Sequence, residues 1–141
     1  KSFNSDGTGS DYLKVAIPNN LKDATEWTLK MKVTMSSSQP GRWAALVADG
    51  GAGLYISDGK FTFWPTGASD DFFFGPTLNP GDPYDVAIVS SKDGLFFYVN
   101  GQLSAQMNPV TMKWSGFELG SDSGGLPSEA SWRMSRLPDA L

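Results

Sequence analysis

The sequence predicts an all-β protein, a two-sheet antiparallel β-sandwich of the jelly-roll kind, on three observations. Apolar and polar residues alternate with a period of two along much of the chain, and no stretch longer than a turn or two follows a helical period. The 141 residues include 16 glycines and 9 prolines, which suits many short elements joined by tight turns. With 40% hydrophobic and 18% charged residues, a chain of this length can bury a core.

The predicted strands follow one another at short, regular spacing, and we expect nine to eleven of them. The clearest covers residues 27–34, where every second residue from Trp27 is apolar and the residues between are Thr or Lys. A closing strand at 130–137 alternates in the same way. The other predicted strands lie at 12–17, 42–48, 54–56, 60–64, 84–90, 95–99, 102–105 and 117–120.

Glycine dipeptides between the apolar runs predict where the chain reverses. Asp58-Gly59 and Asn100-Gly101 are typical of two-residue hairpin turns, because both positions of such turns need a positive φ. Residues 91–94 predict a further hairpin, and residues 76–83, with three prolines, predict a loop. We find no repeat, low-complexity tract or linker and therefore expect one domain over residues 1–141.

The absence of cysteine and histidine excludes several kinds of site. No disulfide, thiolate nucleophile or Ser–His–Asp triad is available to the chain. The net charge of −4 and the lack of a basic sequence cluster argue against a nucleic-acid partner. No apolar run suits membrane insertion. Because the chain begins at Lys1 rather than at Met, we expect a domain excised from a larger or processed protein.

The order of four segments resembles the concanavalin A-like lectin/glucanase superfamily, and within it the laminin G-like and related carbohydrate-binding jelly rolls. The hairpin tip Tyr98-Val99-Asn100-Gly101 carries the most specific part of the likeness. The four segments are residues 3–13, residues 27–33, the pair 84–89 and 95–102, and the pair 117–121 and 132–135. The resemblance implies the fold rather than a ligand.

An enzymatic role is not expected. Glucanases of the superfamily use two glutamates flanking an aspartate within one strand-length motif, which places the carboxylates on one face. This chain has only Glu26, Glu118 and Glu129. The adjacent pair Asp70-Asp71 would point to opposite faces of an extended strand. We therefore predict no catalytic residue.

A structural calcium is a weaker expectation. Calcium takes carboxylate and carbonyl oxygens from loops, and Asp70, Asp71 and Asp122 lie in predicted loops. No EF-hand spacing is present, and turn preference alone explains most of the aspartates.

Sugar binding is the sharper hypothesis, because 13% of the residues are aromatic. Aromatic rings stack on sugar C–H faces while carboxylate, amide and guanidinium groups bind hydroxyls. If Phe61 and Phe63 face the core, alternation directs Trp64 outward, and Phe72-Phe73-Phe74 cannot all share one buried face. Each aromatic could instead fill the core between the sheets. The predicted ligand-binding residues are Trp64, Trp43, Arg42, Tyr98, Tyr55, Asp70 and Phe73.

Two functions therefore remain open. The first is a non-catalytic carbohydrate-binding or adhesion module of a secreted, cell-surface or virion-surface protein, with a glycan or glycoprotein as its partner. The alternative is a structural or protein-interaction domain of a fibre, capsid or surface assembly without glycan affinity. That alternative predicts an apolar patch around residues 72–74 and self-association.

Overall fold

The computed structural model describes residues 2–4, 13–16, 19, 25–35, 44–49, 52–65, 72–109, 116–119 and 130–140. They form two sheets of six strands each. In spatial order, the first sheet consists of β1 (Ser2–Asn4), β12 (Ala130–Ala140), β3 (Trp27–Met35), β8 (Pro83–Ser91), β9 (Gly94–Val99) and β10 (Gln102–Met107). The second consists of β2 (Leu13–Val15), β11 (Phe117–Leu119), β4 (Ala44–Asp49), β5 (Ala52–Ser57), β6 (Lys60–Trp64) and β7 (Phe72–Phe74).

Every strand pairing in both sheets is antiparallel, which confirms the predicted two-sheet sandwich. The alternation in β3 has the expected cause: its apolar residues are buried, and Lys30 and Lys32 are exposed. The same pattern in β8 places Val86 and Ile88 inside and Asp85 outside. In the described ranges, no helix is long or apolar enough to cross a lipid bilayer.

The core between the sheets is rich in aromatic rings. Phe97 of β9 is fully buried and lies 5.4 Å from the ring of Phe63, 5.0 Å from Phe72 and 4.6 Å from Phe74, measured between centroids. Because Phe63, Phe72 and Phe74 belong to the second sheet, this cluster joins the two layers. Such ring pairs stabilise the fold beyond the area they bury.

The predicted hairpin turns are confirmed at both glycine dipeptides. Asp58 and Gly59 have φ of 50° and 70°, and Asn100 and Gly101 have φ of 51° and 79°. Positive φ at both central residues is the conformation whose twist matches that of the flanking strands. The Asn100-Gly101 turn joins β9 to β10 and fixes their register.

The structure also contains short strands that were not predicted from the sequence. No strand was predicted before residue 12, but β1 pairs with β12 over three residues. A segment of three residues is too short for alternation to reveal, and its strand character comes from the partner. The register of β12 with β3 shifts between Arg136 and Asp139, around Pro138, which has no N–H to donate.

The edge strand β7 of the second sheet and the edge strand β10 of the first sheet contact each other. The N–H of Gly75, just after β7, donates a hydrogen bond of 2.7 Å to Oγ of Ser104 on β10. Ala105 and Met107 of β10 are partly buried against the core there. This side of the sandwich is therefore closed by direct contact between the sheets.

Candidate functional site

A row of side chains crosses the outer face of the first sheet. Tyr98 of β9 pairs with Ala87 of β8 on one side and with Leu103 of β10 on the other. Ala87 pairs in turn with Lys30 of β3. Directly paired residues lie on the same face of an antiparallel sheet. We call Lys30, Ala87, Tyr98 and Leu103 the Tyr98 row.

A groove of about 470 Å³ lies along three members of this row, Lys30, Ala87 and Tyr98. Ala87 occupies its middle, between the much longer Lys30 and Tyr98, so a methyl group stands where a larger side chain would fill the space. The Tyr98 ring is partly buried and the Lys30 side chain is exposed. Its lining includes Lys30, Asp85, Ala87, Tyr98 and Gly101, and we call the site the Tyr98 groove.

The Asn100-Gly101 turn holds one end of the Tyr98 groove in place. The N–H of Asp85 donates a hydrogen bond of 2.9 Å to Oδ1 of Asn100, and the N–H of Asn100 donates one of 2.7 Å to the carbonyl of Asp85. This reciprocal pair fixes the backbone at Asp85. Its carboxylate is left to project from a defined point beside Tyr98.

The two lysines beside the Tyr98 groove, Lys30 and Lys32, differ in whether they form an ion pair with a described carboxylate. Nζ of Lys32 lies 3.6 Å from the Asp85 carboxylate, and both side chains are more than half exposed. An exposed pair of this kind adds little to stability. Within the described ranges no carboxylate lies within ion-pair distance of Lys30. Lys30 is therefore the positive group of the Tyr98 groove that has no ion-pair partner among the described residues.

Two other predicted aromatics lie on the opposite side of the sandwich. Phe61 and Phe63 of β6 are buried, and Trp64, the next residue, is 37% exposed, as alternation predicts. Phe73 is 43% exposed, whereas Phe72 and Phe74 contact Phe97. Thr62 pairs with Phe73, so Trp64 and Phe73 share the outer face of the second sheet. Tyr98 and these two rings therefore do not form a single site.

The prediction that Tyr55 contacts a ligand is corrected by the structure. Tyr55 does lie on the face of β5 away from the main core, where it pairs with Ala45 and Thr62. It is nevertheless only 1% exposed and forms a small buried cluster with Ala45 and Ala48. A ring without an accessible face cannot stack on a sugar, because stacking needs the whole face of the ring.

The remaining predicted residues, Arg42, Trp43, Asp70, Asp71 and Asp122, lie outside the described residues. In the part of the chain that the structure describes, no group of three or more acidic side chains is arranged to hold a metal ion. The calcium site at Asp70, Asp71 and Asp122 therefore stays a prediction.

Sequence reasoning missed most of the Tyr98 groove. It predicted Tyr98 as a site residue but not Lys30, Asp85 or Ala87. In the sequence these three are ordinary outward-facing residues of half-buried strands, and nothing marks them as part of a site. The signal that could have found them is the register between residues 27–34 and 84–90, since Lys32 and Asp85 are of opposite charge and pair directly. Matching oppositely charged outward positions would have favoured that register.

The architecture is that of a lectin-like β-sandwich. The family model Laminin_G_3, of the concanavalin A-like lectin/glucanases superfamily, matches residues 6–132. The chain belongs to this family, which confirms the resemblance seen in the sequence. No curated protein sequence gives a significant match.

Solved structures with the same fold are distant in sequence. Trypanosoma rangeli sialidase in complex with the inhibitor DANA is 16% identical, with a TM-score of 0.66 over 93% of this chain and 24% of the sialidase. The chain thus spans about a quarter of the sialidase that it matches. Domain 4 of an extracellular GH43 arabinanase from Geobacillus stearothermophilus, in complex with arabinotriose, is 16% identical, with a TM-score of 0.58 over 90% of this chain and 68% of that one. Sheep galectin-11 in complex with glycerol is 13% identical, with a TM-score of 0.51 over 92% of this chain and 96% of the galectin.

Proposed function

We propose that the chain is a non-catalytic glycan-binding module of a larger extracellular or surface protein, and that the glycan lies in the Tyr98 groove. The observation that carries the proposal is a partly buried tyrosine ring at one side of a 470 Å³ groove whose mostly apolar lining also includes the charged residues Lys30 and Asp85. Sugar sites combine such a ring with a few fixed polar groups.

Each residue of the Tyr98 groove has a distinct role in this proposal. One sugar ring stacks its C–H face against Tyr98, beside the apolar Leu103. The Asp85 carboxylate accepts hydrogen bonds from sugar hydroxyls, and the Lys30 ammonium donates them. Ala87 leaves the space that the ring occupies. Binding requires no change in covalent bonds, which is consistent with the absence of a paired-glutamate motif in the sequence.

Relatives of the same fold support this role. The arabinanase domain is a separate domain of an extracellular enzyme and is seen with arabinotriose, and galectin-11 matches over nearly its whole length. The sialidase match covers one portion of a longer chain. These contexts favour a module attached to another activity, and a function in adhesion fits the same geometry.

Replacing Tyr98 with alanine is expected to weaken glycan binding about tenfold or more, because the stacking surface is lost. The measurement is a glycan array followed by titration calorimetry with the best ligand. Trp64→Ala is the matched control, since it removes an exposed ring from the opposite side of the sandwich.

A second variant tests the Tyr98 groove without removing any contact. Ala87→Leu is expected to reduce binding by a similar factor, because the larger side chain fills the middle of the groove. Equal binding by wild type, Tyr98→Ala and Ala87→Leu, or loss of binding only in Trp64→Ala, would exclude the Tyr98 groove as the site.

A protein-interaction function is the second candidate, and the exposed pair Trp64 and Phe73 favours it. Two large rings on one outer face suit an apolar contact with another chain or a second copy. This function predicts a concentration-dependent mass in light scattering that Phe73→Ser reduces. A monomeric wild type at every concentration would contradict self-association.

A further inference from the structure

Basic residues are concentrated on one part of the first sheet. The chain has 11 Lys and Arg residues and a net charge of −4, yet four of the 11 occupy neighbouring register positions on β3 and β12. Arg136 pairs with Lys30, and Arg133 pairs with Lys32. Paired positions belong to one face of a sheet. The register therefore places four basic positions together on the side that carries the Tyr98 row.

The two lysines of β3 differ in whether a described carboxylate pairs with them. Lys32 forms its ion pair with Asp85, whereas Lys30 lines the Tyr98 groove with no carboxylate of the described residues within ion-pair distance. Arg136 is the register partner of Lys30 at the basic end of the Tyr98 row. From Lys30 the row continues through the small Ala87 to Tyr98 and the apolar Leu103. A ligand that fits both ends has a negative group on one side and an apolar face on the other.

We infer that the Tyr98 groove selects saccharides that carry an anionic substituent, a carboxylate or a sulfate, over their neutral counterparts. This inference rests on the proposed glycan-binding function. The backbones of Lys30 and Tyr98 are two strand spacings apart, roughly 10 Å. A lysine side chain bends across part of that distance, so one sugar stacks on Tyr98 while its anionic group, above Ala87, accepts hydrogen bonds from Lys30. Charge-assisted hydrogen bonds are stronger than neutral ones.

The test uses an array of oligosaccharide pairs that differ only in one carboxylate or one sulfate, for example lactose, 3′-sialyllactose and lactose 3′-sulfate. Wild type is expected to bind at least one anionic member about fivefold more tightly than its neutral partner. Lys30→Gln should weaken binding of the anionic sugar more than binding of the neutral one and so remove the preference, because the glutamine amide still donates a hydrogen bond to a hydroxyl but carries no charge. Lys92→Gln, which removes an equal charge at the far hairpin end of β8 and β9, is the matched control.

Asp85→Asn provides a readout in the opposite direction. It keeps an oxygen that accepts hydrogen bonds but frees Lys32 from its ion pair, so affinity for the anionic sugar should rise. The preference should also shrink as salt is raised, because exposed charges are screened. The carboxylated and sulfated members of the array separate the two sources of negative charge, and a preference for either supports the inference.

The outcomes that overturn the inference are distinct from those that overturn the proposed function. Equal binding of neutral and anionic partners, or a preference that Lys92→Gln removes as effectively as Lys30→Gln, contradicts anion selection while glycan binding stands. A wild-type protein that binds no sugar on the array contradicts both.

Discussion

Gly53→Ala is expected to lower the free energy of unfolding by about 4 kcal/mol or more, enough to threaten folding of a single domain. Gly53 lies in β5, an inner strand of the second sheet, with a φ of 151°. A Cβ at this position would stand 2.0 Å from the carbonyl oxygen of Val47 and 2.8 Å from Cα of Ala48. Both atoms are backbone atoms of the neighbouring strand β4, so no side-chain rotation relieves the overlap.

The effect of Gly53→Ala would be measured by denaturant unfolding, and Gly101→Ala is its control. Gly101 also has a positive φ, of 79°, but among the described residues no atom beyond its own chain neighbours lies within 4 Å of the added Cβ. The control should therefore cost only the backbone strain, about 1 kcal/mol. Equal losses in the two variants would mean that β4 and β5 do not approach each other as described.

Phe97→Ala is expected to cost about 3–5 kcal/mol, the range for removing a large buried side chain from a core. Phe97 is the ring of the first sheet that contacts Phe63, Phe72 and Phe74 of the second, so its loss leaves a cavity between the layers. Urea unfolding followed by tryptophan fluorescence would give the change in stability.

Phe96→Ala is the neighbouring control for the core. Phe96 is partly exposed on the outer face of β9, opposite Val89, and is not part of the core cluster. Its removal should cost about 1 kcal/mol. A Phe96 variant as damaging as the Phe97 variant would contradict the assignment of the two faces of β9.

Local patterns were enough to predict the faces of single strands. Alternation separated Trp64 from Phe61 and Phe63 and separated Phe73 from Phe72 and Phe74, because neighbouring residues of a strand point to opposite faces. The turns at Gly59 and Gly101 were equally predictable, since positive φ at two successive residues has a narrow sequence signature.

The arrangement of the site could not be predicted in the same way. Tyr98 and Trp64 both face outward, but they belong to different sheets, and strand order depends on long-range pairing that alternation does not encode. Tyr55 shows a second limit: it occupies an outer face as expected, yet it is buried. The Tyr98 groove itself arises because Ala87 lies between Lys30 and Tyr98, a relation among three strands.

The central claim is that a glycan binds in the Tyr98 groove. Its most direct test is to record the NMR chemical shifts of the backbone amides while an oligosaccharide ligand is titrated into the protein. We expect the largest shifts at Lys30, Ala87, Tyr98 and Gly101, with little change at Trp64 and Phe73 on the opposite face. Shifts concentrated at Trp64 and Phe73, with the Tyr98 groove unaffected, would contradict the account and move the binding site to the second sheet.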